Sequence, residues 1–125
     1  MSAGVSSGDS ILVTGGGSGI GEACAELFIE RGATVVLLDL DRSAVESTAE
    51  RLGTRHWVCD VSDEVAVRTA VRAMLAEGIN PAGLVHSAGI THPSAGPEGI
   101  TPDDFSHVMS VDLLGTFLIN KSAPP

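Results

Sequence analysis

The chain has 125 residues, 43% of them hydrophobic and 18% charged, a composition that fits one globular domain with a real core. Its 16 acidic and 7 basic side chains leave a formal charge of -9, which argues against a nucleic-acid or anionic-membrane partner, since either calls for a basic face. Any anionic ligand must then be held by main-chain dipoles.

Residues 1–9 read as a flexible leader, rich in Ser and Gly, with neither the basic start of a signal peptide nor the apolar length of a membrane span. The first strand runs from about Ser10 to Val13, and the stretch Thr14 to Gly21, Thr-Gly-Gly-Gly-Ser-Gly-Ile-Gly, follows it directly. Apolar residues at Ile20, Ala23, Cys24, Leu27 and Phe28 then show helical spacing, in a helix that runs to Arg31 and closes at Gly32. The glycines therefore sit at a strand-to-helix turn. There the backbone can bend sharply and let a phosphate approach main-chain N–H groups, and the unpaired N–H groups and partial positive charge of the first helical turn suit a pyrophosphate.

The second strand, Ala33 to Leu40, carries Asp39, 18 residues beyond Gly21. A carboxylate so placed can hold the adenosine ribose of a dinucleotide by its 2′-hydroxyl. It would repel a 2′-phosphate, and the turn from Thr14 to Ser18 has no Lys or Arg to neutralise one. NAD is thus favoured over NADP, with Arg42 the one neighbour able to blur the choice. The competing reading of Asp39 is a solvated acid that caps the next helix; the strand, glycine turn and helix before it favour the ribose.

Ser43-Ala44-Val45-Glu46 has the pattern of a capping box for the second helix, which Gly53 closes after Leu52. A short strand, Arg55 to Cys59, leads to Asp60-Val61. Ser62-Asp63-Glu64 opens a third helix with the stripe Val67, Ala70, Val71, Met74 and Leu75, ended by Gly78-Ile79-Asn80-Pro81. Leu84 to Gly89 is a fourth strand entering a Pro-, Gly- and Ser-rich loop from Ile90 to Ile100. Thr101-Pro102-Asp103-Asp104 starts a fourth helix, with Phe105, Val108, Met109, Leu113, Phe117 and Leu118 as its apolar residues to about Lys121, before Pro124-Pro125. Cys24 and Cys59 lack metal-ligand spacing and read as buried free thiols of a reducing compartment, so no metal is expected and the expected location is cytoplasmic.

Four strand–helix alternations predict an α/β fold: a Rossmann-like, doubly wound parallel sheet over residues 10–125, strand order 3-2-1-4, helices on both faces. The ligand is expected at the carboxyl ends of strands one and four, where the winding reverses.

These motifs together resemble the short-chain dehydrogenase/reductase family. Thr14, Gly15, Gly19 and Gly21 match its Thr-Gly-x-x-x-Gly-x-Gly coenzyme motif, Asp39 matches the acid of its NAD-preferring members, and Asp60-Val61 resembles its adenine-contacting pair. His86-Ser87-Ala88-Gly89 stands where the family usually has Asn-Asn-Ala-Gly, and Val111 to Phe117 is similar to its fourth-helix segment, with Asp112 at the position of the Asn of its catalytic tetrad. The resemblance implies cofactor contacts from Thr14, Gly15, Gly17, Ser18, Gly19, Ile20, Gly21, Asp39, Asp60, Val61, Ser87, Ala88 and Gly89. His86 is expected to be hydrogen-bonded in the interior, and His56, His92 and His107 offer no pairing that makes a site.

The family's chemistry also uses a Ser and a Tyr-x-x-x-Lys beyond the next strand, the Tyr as general acid/base. This chain has no Tyr, and its one Lys is Lys121. The resemblance therefore implies the NAD-binding half of such an oxidoreductase, incomplete after the fourth helix and with negligible activity by itself. An unpaired, apolar fourth strand and an under-packed fourth helix imply a homo-oligomer. The alternatives are a non-catalytic nucleotide-binding or interaction module, and a methyltransferase-like domain that binds S-adenosylmethionine, against which the glycine spacing argues.

Overall fold

The computed structural model describes residues 8–91 and 96–123, so most of the expected leader, part of the loop before the fourth helix including His92, and Pro124-Pro125 lie outside the described residues. The strands are β1 (Ser10–Thr14), β2 (Thr34–Asp39), β3 (Arg55–Val58) and β4 (Gly83–His86). All pair in parallel, in the order β3-β2-β1-β4. β1 and β2 are apolar without alternation because both faces are covered. One face packs Ile11, Val13, Val35 and Leu37 against α1 (Gly19–Glu30) and α2 (Arg42–Leu52); the other packs Leu12, Val36 and Leu38 under α3 (Glu64–Ala76) and α5 (Gly115–Ser122).

The cap of α2 differs from the Ser43 capping box. Asp41 is the cap, its Oδ1 accepting from the Ala44 N–H at 3.0 Å, while Glu46 pairs with Arg42 on the surface. The helix already begins at Arg42, so Ser43 lies inside it and Asp41, nearer the strand end and still in extended backbone, is the residue placed to cap. Gly53 ends α2 in the left-handed region as expected. α3 is capped by Asp63, and Val67, Ala70, Val71 and Met74 are buried; Leu75, at the edge of that stripe, is exposed.

α1 also turns a different face inward. Gly21 and Ala25 are buried, whereas Ile20 and Leu27 of the expected stripe are exposed and Cys24 is only half-buried; Cys59 is the buried thiol. The glycine turn brings the helix so close to the sheet that only small side chains fit beneath it.

The fourth helix is broken in three. α4 (Pro102–Met109) opens with a full capping box between Thr101 and Asp104, a π-helical segment covers Ser110–Leu114, and α5 follows. Leu118 and Ile119 face the core with Gly115, whereas Phe105, Met109, Leu113 and Phe117 lie exposed along the other side. β3 and β4 are the sheet's outer strands.

Candidate functional site

At the carboxyl ends of the strands, the turn from Gly15 to Ser18 rises over β2 and drops into α1. Gly15 has φ +65°, and a Cβ there would sit 2.7 Å from the Ala88 amide nitrogen, so only glycine lets the turn lie against the end of β4. The Gly16 N–H donates to the Leu38 carbonyl at 3.1 Å, and the Gly17 N–H to Asp39 Oδ2 at 2.9 Å. Asp39 Oδ1 accepts from the Asp41 N–H at 3.0 Å. One carboxylate thus ties the glycine turn to the start of α2.

On the other side, the end of β4 is fastened to β1. The Ser87 hydroxyl donates to the Thr14 carbonyl at 2.7 Å, and the Ala88 N–H donates to Thr14 Oγ1 at 3.2 Å. From the helical side, Asp112 Oδ1 accepts from the Ile90 N–H at 2.8 Å. Asp60 holds its own turn, its Oδ1 accepting from the Ser62 N–H at 2.9 Å and the Ser62 hydroxyl at 2.6 Å.

These elements enclose a cavity of about 340 Å3. Of the thirteen residues picked out in the sequence, Gly15, Ser18, Gly19, Ile20, Asp39, Asp60, Val61, Ser87, Ala88 and Gly89 line it. Thr14, Gly17 and Gly21 do not: Gly17 is part of the turn without facing the cavity, and Thr14 and Gly21 pack against the turn, Gly21 so tightly that a Cβ would run into the Gly15 carbonyl and the Ser87 hydroxyl. Five further residues line the wall: Leu40, Cys59, Ile90, His107 and Val111. Leu40, Cys59 and Ile90 adjoin residues already singled out, and His107 and Val111 are one helical turn apart, a spacing the sequence displayed but did not connect to the strands.

Among the described residues, the cavity wall carries two carboxylates and one imidazole, and no Lys or Arg. Burial pushes the Cys59 thiol up to about 11, and the carboxylates of Asp60 and Asp63 add to the effect. Cys59 is consequently a packing residue at neutral pH. His86 is exposed at the end of β4, with Nε2 3.0 Å from Asn120 Oδ1, and is not an interior residue: it follows the last residue of β4 that faces the core. Among the described residues, no cluster of His, Cys, Asp or Glu could hold a metal ion, and no helix is long and apolar enough to cross a membrane.

A four-stranded 3-2-1-4 parallel sheet with a glycine turn over its carboxyl edge defines a Rossmann-like α/β protein. Residues 15–125 match the family model described as enoyl-(acyl carrier protein) reductase. The chain is 35% identical over 119 residues to L-fucose dehydrogenase of Bos taurus, covering 94% of this chain and 44% of that protein. It is also 35% identical over 124 residues to 2-dehydro-3-deoxy-L-rhamnonate dehydrogenase (NAD(+)) of a Sphingomonas species, covering 98% and 50%. The crystal structure of 3-ketoacyl-(acyl-carrier-protein) reductase from Brucella melitensis complexed with NADH superposes with a TM-score of 0.88 at 33% identity, over 92% of this chain and 48% of that one. The chain belongs to the short-chain dehydrogenase/reductase family of oxidoreductases, and it spans about half the length of the relatives it matches.

Proposed function

We propose that the cavity binds NAD(H), and that the chain supplies the coenzyme-binding part of a short-chain dehydrogenase/reductase. The observation that carries this reading is that Ser18, Gly19 and Ile20 at the mouth of α1 share one cavity with Asp39 and with Asp60-Val61. Main-chain N–H groups of the turn and first helical residues take the diphosphate. Asp39 accepts from the adenosine ribose, Asp60 accepts from the adenine amino group, and Val61 packs on the ring. Ser87, Ala88 and Gly89 form the wall at the nicotinamide end, Gly17 holds the turn's shape from within it, and Thr14 and Gly21 pack against it.

The residues fit such a guest. At Gly19 no described residue beyond its own helix and neighbours lies within 4 Å of where a Cβ would be, so the helix mouth is open, and each Asp39 oxygen uses one main-chain bond and keeps capacity for a second. NAD is preferred to NADP because the wall is acidic and Arg42, the nearby cation, extends over the surface to Glu46 at 3.3 Å. When bound, the nicotinamide supplies the hydride acceptor or donor; this chain's residues bind and orient it. Hydride transfer itself needs the family's Tyr-x-x-x-Lys, and with no Tyr, and with Lys121 paired to Glu64 at 2.7 Å, the 125 residues have negligible dehydrogenase activity by themselves. Asp112 serves the Ile90 main chain and is not assigned a proton-relay role. Residues 10–125 act as the binding domain, in a cytoplasmic setting where both thiols stay reduced.

Titration calorimetry with NADH and NADPH tests the reading. NADH should bind at least tenfold more tightly, and absence of NADH binding refutes it. The outer strand β4 and the exposed Phe105, Met109, Leu113 and Phe117 further support self-association. Light scattering should then show dimers or larger species that Phe117→Ser weakens, and a monomer at every concentration refutes that part.

A further inference from the structure

Beneath the glycine turn lies a polar group that no cofactor contact uses. Thr48, on the inner face of α2, is 3% exposed, and its hydroxyl reaches across the fold to the Gly17 carbonyl at 3.1 Å and Glu22 Oε2 at 2.8 Å. A helical threonine ordinarily satisfies its hydroxyl on its own helix, one turn back. This one bonds 31 residues away. A valine would fill the same space without the cost of burying a hydroxyl, so the feature to explain is the oxygen.

The hydroxyl has one hydrogen, and both of its neighbours only accept. Glu22 has a second partner in Arg51, at 3.3 Å, and its carboxyl is held below the usual range by the Thr48 hydrogen bond first and Arg51 next. The Gly17 carbonyl thus shares the Thr48 proton with a carboxylate that Arg51 partly satisfies. At the other end of the same residue, the Gly17 N–H is taken by Asp39 at 2.9 Å. Gly17 is clamped at both of its main-chain polar groups, in a space where an added Cβ would sit 2.8 Å from Asp39 Oδ2 and 2.9 Å from the Val45 nitrogen.

That clamp has a directional consequence. No described peptide bond is cis, and in a trans peptide the C=O and the following N–H point opposite ways. With the Gly17 carbonyl turned toward Thr48 in α2, the Ser18 N–H of the same peptide is turned away from α2, and Ser18 lines the cavity. We infer that Thr48 is a positioning residue for the anion-binding turn, fixing the Gly17–Ser18 peptide so that the Ser18 N–H faces a diphosphate. This rests on the dinucleotide reading above and names the residue that orients one of its donors. Glu22 and Arg51 act on the turn through Thr48, by setting how much of its proton the carbonyl receives.

The test compares the unmodified chain, Thr48→Val and Thr48→Ser by titration with NADH, ADP and adenosine. Thr48→Val should bind NADH and ADP about tenfold more weakly, the worth of about one hydrogen bond, and adenosine within twofold of the unmodified chain. Thr48→Ser should restore NADH binding to within about threefold. A loss under threefold for NADH in Thr48→Val, or an equal loss for adenosine, overturns the inference while leaving the cofactor reading standing. Failure of the unmodified chain to bind NADH removes the cofactor reading instead. A ligand-free readout separates the two: 15N relaxation should show the Ser18 amide loosened in Thr48→Val and not in Thr48→Ser, and an unchanged Ser18 overturns the inference whatever binds.

Discussion

Gly21→Ala tests the packing on which the turn depends. Gly21 lies in the first turn of α1, where replacing glycine by alanine ordinarily stabilises a helix by about 0.5–1 kcal/mol through reduced chain entropy. Here a Cβ would run into the Gly15 carbonyl oxygen and the Ser87 hydroxyl and lie 2.9 Å from the Gly15 carbonyl carbon. Two of those atoms are main chain, so relief requires α1 to move off the sheet. Overpacking of this kind costs about 1–3 kcal/mol. Moving Ser87 also breaks its 2.7 Å bond to the Thr14 carbonyl, which removes about another 1 kcal/mol. After the helix gain is subtracted, the net loss is about 1–3.5 kcal/mol, or roughly 10 °C at the middle of that range in the unfolding midpoint of a domain this size. Urea unfolding followed by circular dichroism measures it. Gly19→Ala is the control: Gly19 has φ +55° and no atom within 4 Å of an added Cβ, so only backbone strain of about 1–2 kcal/mol applies, partly offset by the alanine's lower unfolded-state entropy. A Gly21→Ala loss under about 1 kcal/mol, or a Gly19→Ala loss as large as that of Gly21→Ala, would refute the reasoning.

Other outcomes follow from single contacts. Asp39→Ala leaves the Gly17 and Asp41 N–H groups without their acceptor, costing about 1–2 kcal/mol at this half-buried site, and should cut the preference for NADH over NADPH about tenfold by removing like-charge repulsion; calorimetry and urea unfolding check both. With its thiol pushed up to about 11, Cys59 is about one part in a thousand thiolate at pH 8, so a disulfide reagent should label Cys24 quickly and Cys59 only in denaturant; equal native rates for both would contradict its burial. The Glu64 carboxyl is held below the usual range by Lys121 first and Arg68 next. A depressed folded-state value means that its contribution is present above the unfolded-state value and lost as pH falls through the folded one. Carbon-13 NMR should place its midpoint below that of an ordinary glutamate, and Lys121→Met should move it back up; no movement refutes the pairing.

The strand order and ten of the cavity's lining residues were legible because they rest on short-range signals: an apolar run, a glycine turn immediately after it, and an acid at a fixed distance. What the sequence hid is set by contacts between distant segments. Thr48 is one threonine among several in helical segments, and nothing in its spacing from Gly17 announces their bond. The α2 cap went to Asp41 and not Ser43 because the strand end, fixed by Asp39, decides which side chain stands beside the free Ala44 N–H. The α1 stripe differs from its spacing for a related reason: Ile20 has helical spacing, yet at 77% exposed it stands at the cavity mouth, while Gly21 and Ala25 face the sheet. Periodicity finds the helix but not its rotation when a close approach demands small residues.

The segment from Pro102 to Ser122 extends that point to the site itself. It carries two apolar rows, Phe105, Met109, Leu113 and Phe117 on one side and Val111, Gly115 and Ile119 on the other, and a period of 3.6 cannot choose between them. Gly115 decides: a Cβ there would lie 2.6 Å from Val61 Cγ2, so the helix backbone itself packs on a residue of the cavity wall. The π-helical turn at Ser110–Leu114 adds a residue to the turn just before that contact. It places Asp112 where its carboxylate reaches the Ile90 N–H at 2.8 Å, beside Val111 in the cavity lining. The same short stretch therefore docks the helix on the cavity wall at Val61 and pins that wall again at Ile90. The larger apolar row is left facing outward because the smaller one is what allows the helix to close on the cavity.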